Sequence, residues 1–498
     1  MLRTVTTCLC LSCSLTLATS ARAEEPASGA APDAELLRSV LEENRALHSR
    51  LDALEDQVRS ARDDASAARS AATQAEARSA ASQPTNRPPA VGAGPLAETP
   101  AGGGARLQLL DLSVDVLSSA GFSSEEDDEI ALLQAGGHDP ARRGFNLTNL
   151  ELSLLGAVDP YLDGEIHLIY FLDPEGESNF ELEEAFITSR MLPFGLEEHG
   201  LQVELGQMFT EFGRINPQHP HAWDWQDQPI VLSRFFGPDG MRGVGTRVGW
   251  LLPVPWFSEL HGGVQNAQGE TMQSFLSSDE AFEENPIGGR PFASGGTRSV
   301  SDLVYLLRWV NGFELGEDWA GQLGVSGLRG PNATGSEGRT WVYGADWLLK
   351  WVPASSDRGW PFLRIEGEIA RRHYRADSFF DADTLVSFDH ETFTDWGSFL
   401  QMLWGFRRGW SIGIRGEYAT GNDDTYAPGS AIATRSEDPF RGNRVRVSPL
   451  LVFQPSEFSR FRLQYNADNA DFLTGDDSAH SFWLGLEFLI GQHPAHRF

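Results

Sequence analysis

From residue 106 onward, apolar residues recur at every second position: Leu110, Leu112, Val114 and Val116, then Leu150, Leu152 and Leu154, then Leu162, Ile166, Leu168, Tyr170 and Leu172. Polar residues such as Asp163, Glu165 and His167 stand between them. A period of two describes a strand with one apolar and one polar face. The segments run to about 10 to 13 residues with Trp and Tyr near their ends, which is what a strand crossing a bilayer requires. The apolar face then meets lipid and the polar face lines a hollow centre.

Strands are predicted near 106–118, 144–157, 162–172, 179–191, 200–211, 242–252, 258–266 and 301–311. A second set is predicted near 318–328, 339–352, 361–375, 394–407, 410–420, 442–453, 458–467 and 479–490. The connections alternate. Short ones carry turn residues, as at Asp159-Pro160, Pro193-Phe194-Gly195, Pro253-Val254-Pro255, Arg408-Gly409 and Pro455-Ser456; long polar ones fall at 119–143, 212–241, 267–300, 376–393 and 421–441. Short periplasmic turns and long external loops are the signature of an outer-membrane barrel. The expected fold is an all-β transmembrane barrel of about 16 antiparallel strands, with about 14 and 18 as bounds, preceded by an N-terminal α-helical coiled coil.

The segment ahead of the barrel divides into three. Arg3, an uncharged run from Val5 to Ser20 and Ala21-Arg22-Ala23 form a signal peptide over 1–23. The three cysteines, Cys8, Cys10 and Cys13, all lie within it, so a mature chain cut there has no thiol chemistry. Residues 33–80 hold a heptad seam of Leu37, Val40, Asn44, Leu47, Leu51, Leu54 and Val58, continued by alanines, and read as a periplasmic coiled coil. Residues 81–105, rich in Pro, Gly and Ala, are a linker, and 106–498 is the barrel.

Composition changes the picture in two ways. A mean hydropathy of -0.30 looks soluble, but only alternate residues of a barrel need be apolar, so averaging hides them. A net charge of -31 argues against nucleic acid as a partner. Expected partners are outer-membrane lipid, small hydrophilic solutes or ions, and further copies of the chain, with a trimer favoured through the coiled coil and the barrel.

Gly144-Phe145-Asn146-Leu147, Asp159-Pro160-Tyr161, Glu183-Glu184-Ala185-Phe186, Leu192-Pro193 and Gly206-Gln207-Met208-Phe209 together resemble the outer-membrane porins, most of all the phosphate-selective group. That resemblance implies a third external loop folded into the lumen. It also implies lysine and arginine along the path of an anion. Here Lys350 is the only lysine and acids outnumber bases 70 to 39, so the fold carries over and phosphate specificity does not.

The third loop, 212–241, is the candidate constriction, with Arg214, His219, His221, Asp224, Asp227 and Arg234 among two tryptophans. Alternation turns Glu165, His167, Glu183 and Glu204 inward on early strands, and Arg364, Arg415, Arg444, Arg446, Arg460 and Arg462 inward on late ones. A basic wall facing an acidic one sets a transverse field across a pore. His219 and His221, near Asp224 and Asp227, also admit a divalent metal, and His493 and His496 form a second pair at the C-terminus, but each pair alone offers too few ligands for a closed site; no metal or other cofactor is assigned. The chain carries no G-x-S-x-G, H-E-x-x-H or phosphate-cradling glycine loop, so no enzyme is expected. The expected function is an outer-membrane porin giving passive diffusion. The alternatives are a metal-ion or ligand-binding receptor and a barrel-anchored periplasmic tether.

Overall fold

A computed structural model describes residues 110–491, apart from 174–175, 294–295, 382–384, 423–425, 427–431 and 433. The signal peptide, coiled coil, linker and terminal His493, His496 and Phe498 lie outside the described residues.

Sixteen antiparallel strands close into a barrel. In chain order they are β1 (Asp111–Ser123), β2 (Gly144–Ala157), β3 (Leu162–Leu172), β4 (Ser178–Ser189), β5 (Leu201–Phe209), β6 (Arg242–Leu251), β7 (Ser258–Gln265), β8 (Val304–Leu315), β9 (Trp319–Pro331), β10 (Arg339–Trp351) and β11 (Phe362–Ala376). After a small hairpin of β12 (Phe379–Asp381) and β13 (Val386–Phe388) come β14 (Glu391–Arg407), β15 (Trp410–Gly421), β16 (Arg444–Ser456), β17 (Ser459–Ala470) and β18 (Ser478–Gly491). Each barrel strand pairs with its neighbours in sequence, β11 with β14 across the hairpin, and β1 closes on β18 from Ser113↔Gly491 to Ser123↔Ser481. Closure leaves the barrel sheet without a terminal edge strand.

Two departures from expectation stand out among shifts of a few residues at strand ends. β1 extends to Ser123 where alternation ends it at 118, because the small residues Ser118 to Gly121 still pair with both β2 and β18 although they carry no hydropathy signal. The connection at 376–393 holds the β12–β13 hairpin rather than irregular loop.

Exposure runs opposite to that of a water-soluble globule. On β16 Val445 and Val447 are exposed while Arg444, Arg446 and Ser448 are buried; on β14 Leu400, Met402 and Trp404 are exposed while Gln401 and Leu403 are buried. Charged and polar groups line much of the interior and aliphatic ones cover the outside, the arrangement a bilayer demands. Aromatic residues bracket this apolar band. Toward the short turns stand Trp250, Trp256, Trp404 and Phe458, and toward the long loops Phe122, Phe145, Tyr305, Tyr343, Trp396 and Phe482, all exposed. Trp396 and Trp404 on one strand are about eight residues apart, roughly 26 Å along it and nearer 20 Å across the bilayer once tilt is allowed.

Candidate functional site: a loop folded through the barrel

The connection 210–241 between β5 and β6 runs through the interior and bonds to walls on opposite sides. Its first turn crosses to β9 and β11: Gly213 N donates to Ser326 Oγ, and Arg214 N and Ile215 N donate to Glu368 Oε1 at 2.6 and 2.8 Å. The Arg214 guanidinium meets Glu366 at 2.8 Å. The chain then returns to β2 and β4, where His219 Nε2 lies 3.0 Å from Glu184 and His221 Nδ1 2.8 Å from Glu151. In the cyclic strand order β11 stands diametrically opposite β3, so the loop spans the barrel.

A third anchor lies on β15, β16 and β17. Trp225 Nε1 donates to Ser448 O at 2.9 Å, and Arg462 Nη1 donates to Trp223 O and Trp225 O. Asp227 is fully buried between Arg415 and Arg446 Nη1, the latter at 2.8 Å, and also accepts from Gln464 and Asn466. Burial alone would raise its pKa, but the two guanidiniums hold it at about 2. Asp224 pairs with Arg364. Every residue of the helix Ile230–Phe236 is buried, and Ile230 N donates to Glu417 at 2.8 Å.

The wall is shaped to receive the loop. Gly397 on β14 leaves room for Val231, whose Cβ a Cβ at residue 397 would meet at 2.9 Å. Gly397→Val is expected to displace this helix at a cost on the order of 1–3 kcal/mol. Limited proteolysis checks it: the loop becomes cleavable while the barrel keeps its heat-modifiable migration.

Two neighbouring loops reinforce the third. Leu133 O, in the connection 124–143, accepts from Arg444 and Arg446 at 2.5 and 2.7 Å, and Asp139 accepts from Gln228 N. In the connection 266–303, Ser274 Oγ donates to Phe235 O, and Phe275, Met272 and Leu276 join Phe212, Trp223, Leu232, Phe235 and Phe236 in one apolar cluster. Between the loops lies a cavity of about 660 Å³ whose lining carries Asp139, Asp239 and Glu284 as well as Arg234 and Arg444. Burial and the charge of Arg444 lower the Arg234 pKa to about 9.

The expected inward residues are brought together selectively. His167 and Glu183 join the loop histidines, whereas Glu204 pairs with Arg247 at 2.5 Å away from them. Glu165 stands 3.9 Å from His167 Nε2. The inward arginines of the late strands are paired rather than open to the lumen. Arg415, Arg444, Arg446 and Arg462 are buried in pairs with Asp227, Glu417, Asp468 and Glu487, and Arg460 pairs with Glu487 beneath His221. A guanidinium under a packed loop must be neutralised locally, so these groups lock the loop rather than face open water.

Three site residues escaped the sequence reading. Glu151 was legible, since it alternates with Leu150 and Leu152. Glu184 was not, because consecutive residues of a regular strand face opposite sides; a β-bulge pairs His167 with Glu184 and Leu168 with Leu182, leaving Glu183 unpaired and turning both acids inward. Glu368 of β11 is the third, and its alternation with the exposed Ile369 is the signal that places it inside.

An uncharacterized protein of Aquifex aeolicus (strain VF5) is 31% identical over 375 residues, covering 73% of this chain and 73% of that protein. This chain belongs to the same family. No family model matches it. Among solved structures, this member of the family is similar to the outer-membrane channel DcaP of Acinetobacter baumannii, with a TM-score of 0.48, 11% identity, and 76% and 97% of the two chains covered. It is also similar to OprB of Pseudomonas putida, with a TM-score of 0.46, 9% identity and coverage of 76% and 94%. The anion-selective porin of Comamonas acidovorans matches with a TM-score of 0.43, 8% identity and coverage of 76% and 99%. The phosphate-selective group is not singled out.

Proposed function

We propose that this protein is an outer-membrane porin through which small hydrophilic solutes or ions diffuse passively along a lumen narrowed by the third external loop. One observation carries the reading: the loop 210–241 is bonded to β11 at one end of a diameter and to β2 and β4 at the other. A polar interior beside an apolar exterior supports a water-filled path. Selection is then by size at the loop and by the charges left accessible around it. The heptads over 33–80 support a homo-oligomer, with a trimer favoured, whose periplasmic ends are held together by the coiled coil.

Conductance in planar bilayers tests this. Stepwise currents are expected from the full-length protein. Replacing 214–236 by a short Gly-Ser linker should raise the step size several-fold, since the resistance of a pore concentrates at its narrowest section. A silent wild-type barrel, or a loop deletion with unchanged conductance, rejects the reading. Reversal potential across a salt gradient then gives the sign of selectivity.

A further inference from the structure

We propose that the joint between the third loop and the acidic wall is a divalent-metal site of the zinc class, with His167, His219, Glu151 and Glu183 as ligands. The four come from β3, the loop, β2 and the β4 bulge. His167 Nδ1 lies 3.0 Å from Glu151 Oε1, and His219 Nδ1 lies 3.4 Å from the same oxygen and 2.6 Å from Glu183 Oε2. One ligand atom each from Glu151, His167 and His219 falls within 4.8 Å of the others. A tetrahedron of metal bonds about 2.0–2.1 Å long has edges of roughly 3.3 Å, which is the scale of these separations.

The surroundings are those of a metal site. A metal-bound imidazole donates its other N–H to a carboxylate; His219 Nε2 lies 3.0 Å from Glu184 Oε2, and Glu184 is itself fixed by Phe209 N at 2.7 Å. His167 turns Nε2 toward Glu165 at 3.9 Å. His221 Nδ1 approaches the second oxygen of Glu151 at 2.8 Å, and Ser153 Oγ donates to the first at 2.9 Å. Both carboxylate oxygens of Glu183 and Nδ1 of His219 are buried without a hydrogen bond of good geometry. Glu151, Glu183 and Glu184 bring three carboxylates into one buried pocket, and a dication offsets their repulsion. Mixed imidazole and carboxylate donors suit zinc and its first-row neighbours rather than calcium or magnesium. Bound there, the ion staples the loop to the wall of β2, β3 and β4.

The test uses the full chain in detergent micelles, stripped with EDTA, equilibrated with zinc chloride and gel-filtered before elemental analysis. The expected result is one more zinc per chain in wild type than in His219→Phe or Glu183→Gln, with His480→Asn, at the exposed long-loop end, matching wild type. Glu184→Gln should weaken zinc binding about 10- to 100-fold in a calorimetric titration while leaving the stoichiometry unchanged. Heat-modifiable migration verifies that each variant is folded. Should the ligand variants fail to fold, cobalt(II) added to the wild-type protein decides the matter. The visible absorption of tetrahedral cobalt supports the site, and its absence overturns it. Equal zinc content in wild type and folded ligand variants also overturns it. These readouts do not depend on conductance, so the metal site and the porin reading fail separately.

Discussion

Replacing Asp227 by alanine will free the third loop from its late-strand anchor and produce a larger, noisier channel. The carboxylate sits between Arg415 and Arg446 with no exposed surface, and it also accepts from Gln464 and Asn466. Removing one partner from such a cluster leaves buried positive charge uncompensated, which costs about 3–5 kcal/mol. The barrel does not depend on this contact, because its backbone ladder closes without the loop. The cost therefore falls on loop docking. The loss should appear as frequent transitions to higher conductance in bilayer recordings and as protease cleavage within 210–241. A double-mutant cycle with Arg415→Met should recover part of the loss, since the surplus positive charge of the Arg415–Arg446–Glu417–Asp468 cluster is then gone. Unchanged currents with an uncleaved loop would contradict the assigned role of Asp227. The folded-state pKa of about 2 lies below the ordinary aspartate value near 3.9. Its contribution is thus complete above the unfolded value and lost as pH falls through about 2.

The second large effect tests the orientation of the whole barrel. Leu400 lies midway between Trp396 and Trp404 on β14 and is 52% exposed. Leu400→Arg should destabilise the protein in lipid vesicles by about 2–4 kcal/mol, the cost of a cation at the bilayer midplane on a lipid-facing strand. Phe380→Arg is also at an exposed position, 58% accessible but in the hairpin beyond the band. It should fall within about 0.5 kcal/mol of wild type. Equilibrium unfolding in vesicles compares the two. In a water-soluble protein an exposed Leu400 could take a charge at no cost, so equal stabilities would remove the membrane-spanning assignment.

Much of the architecture was legible because strand patterning is local. A residue faces lipid or lumen according to its parity along the strand, and Val445, Val447, Arg444 and Arg446 obey this rule without reference to any other part of the chain. The strand number followed from counting such segments. His219, His221 and Asp227 were visible as unusual content in a long loop. Their partners were not, because Glu151 and Arg446 lie 70 and 219 residues away from the loop groups they bond.

The sequence by itself determined the alternation, the turn positions and the inward parity of most charged groups, since each depends on only a few neighbouring residues. Only the tertiary structure decided what those inward groups meet. It placed the loop across a diameter, used the arginines of β15 to β17 as loop anchors, and turned Glu183 and Glu184 to one side through a single unpaired residue in β4. The physical reason is that closing the barrel brings strands distant in sequence around a common interior. There charges must be neutralised by whatever group arrives opposite them, and no local pattern encodes that match.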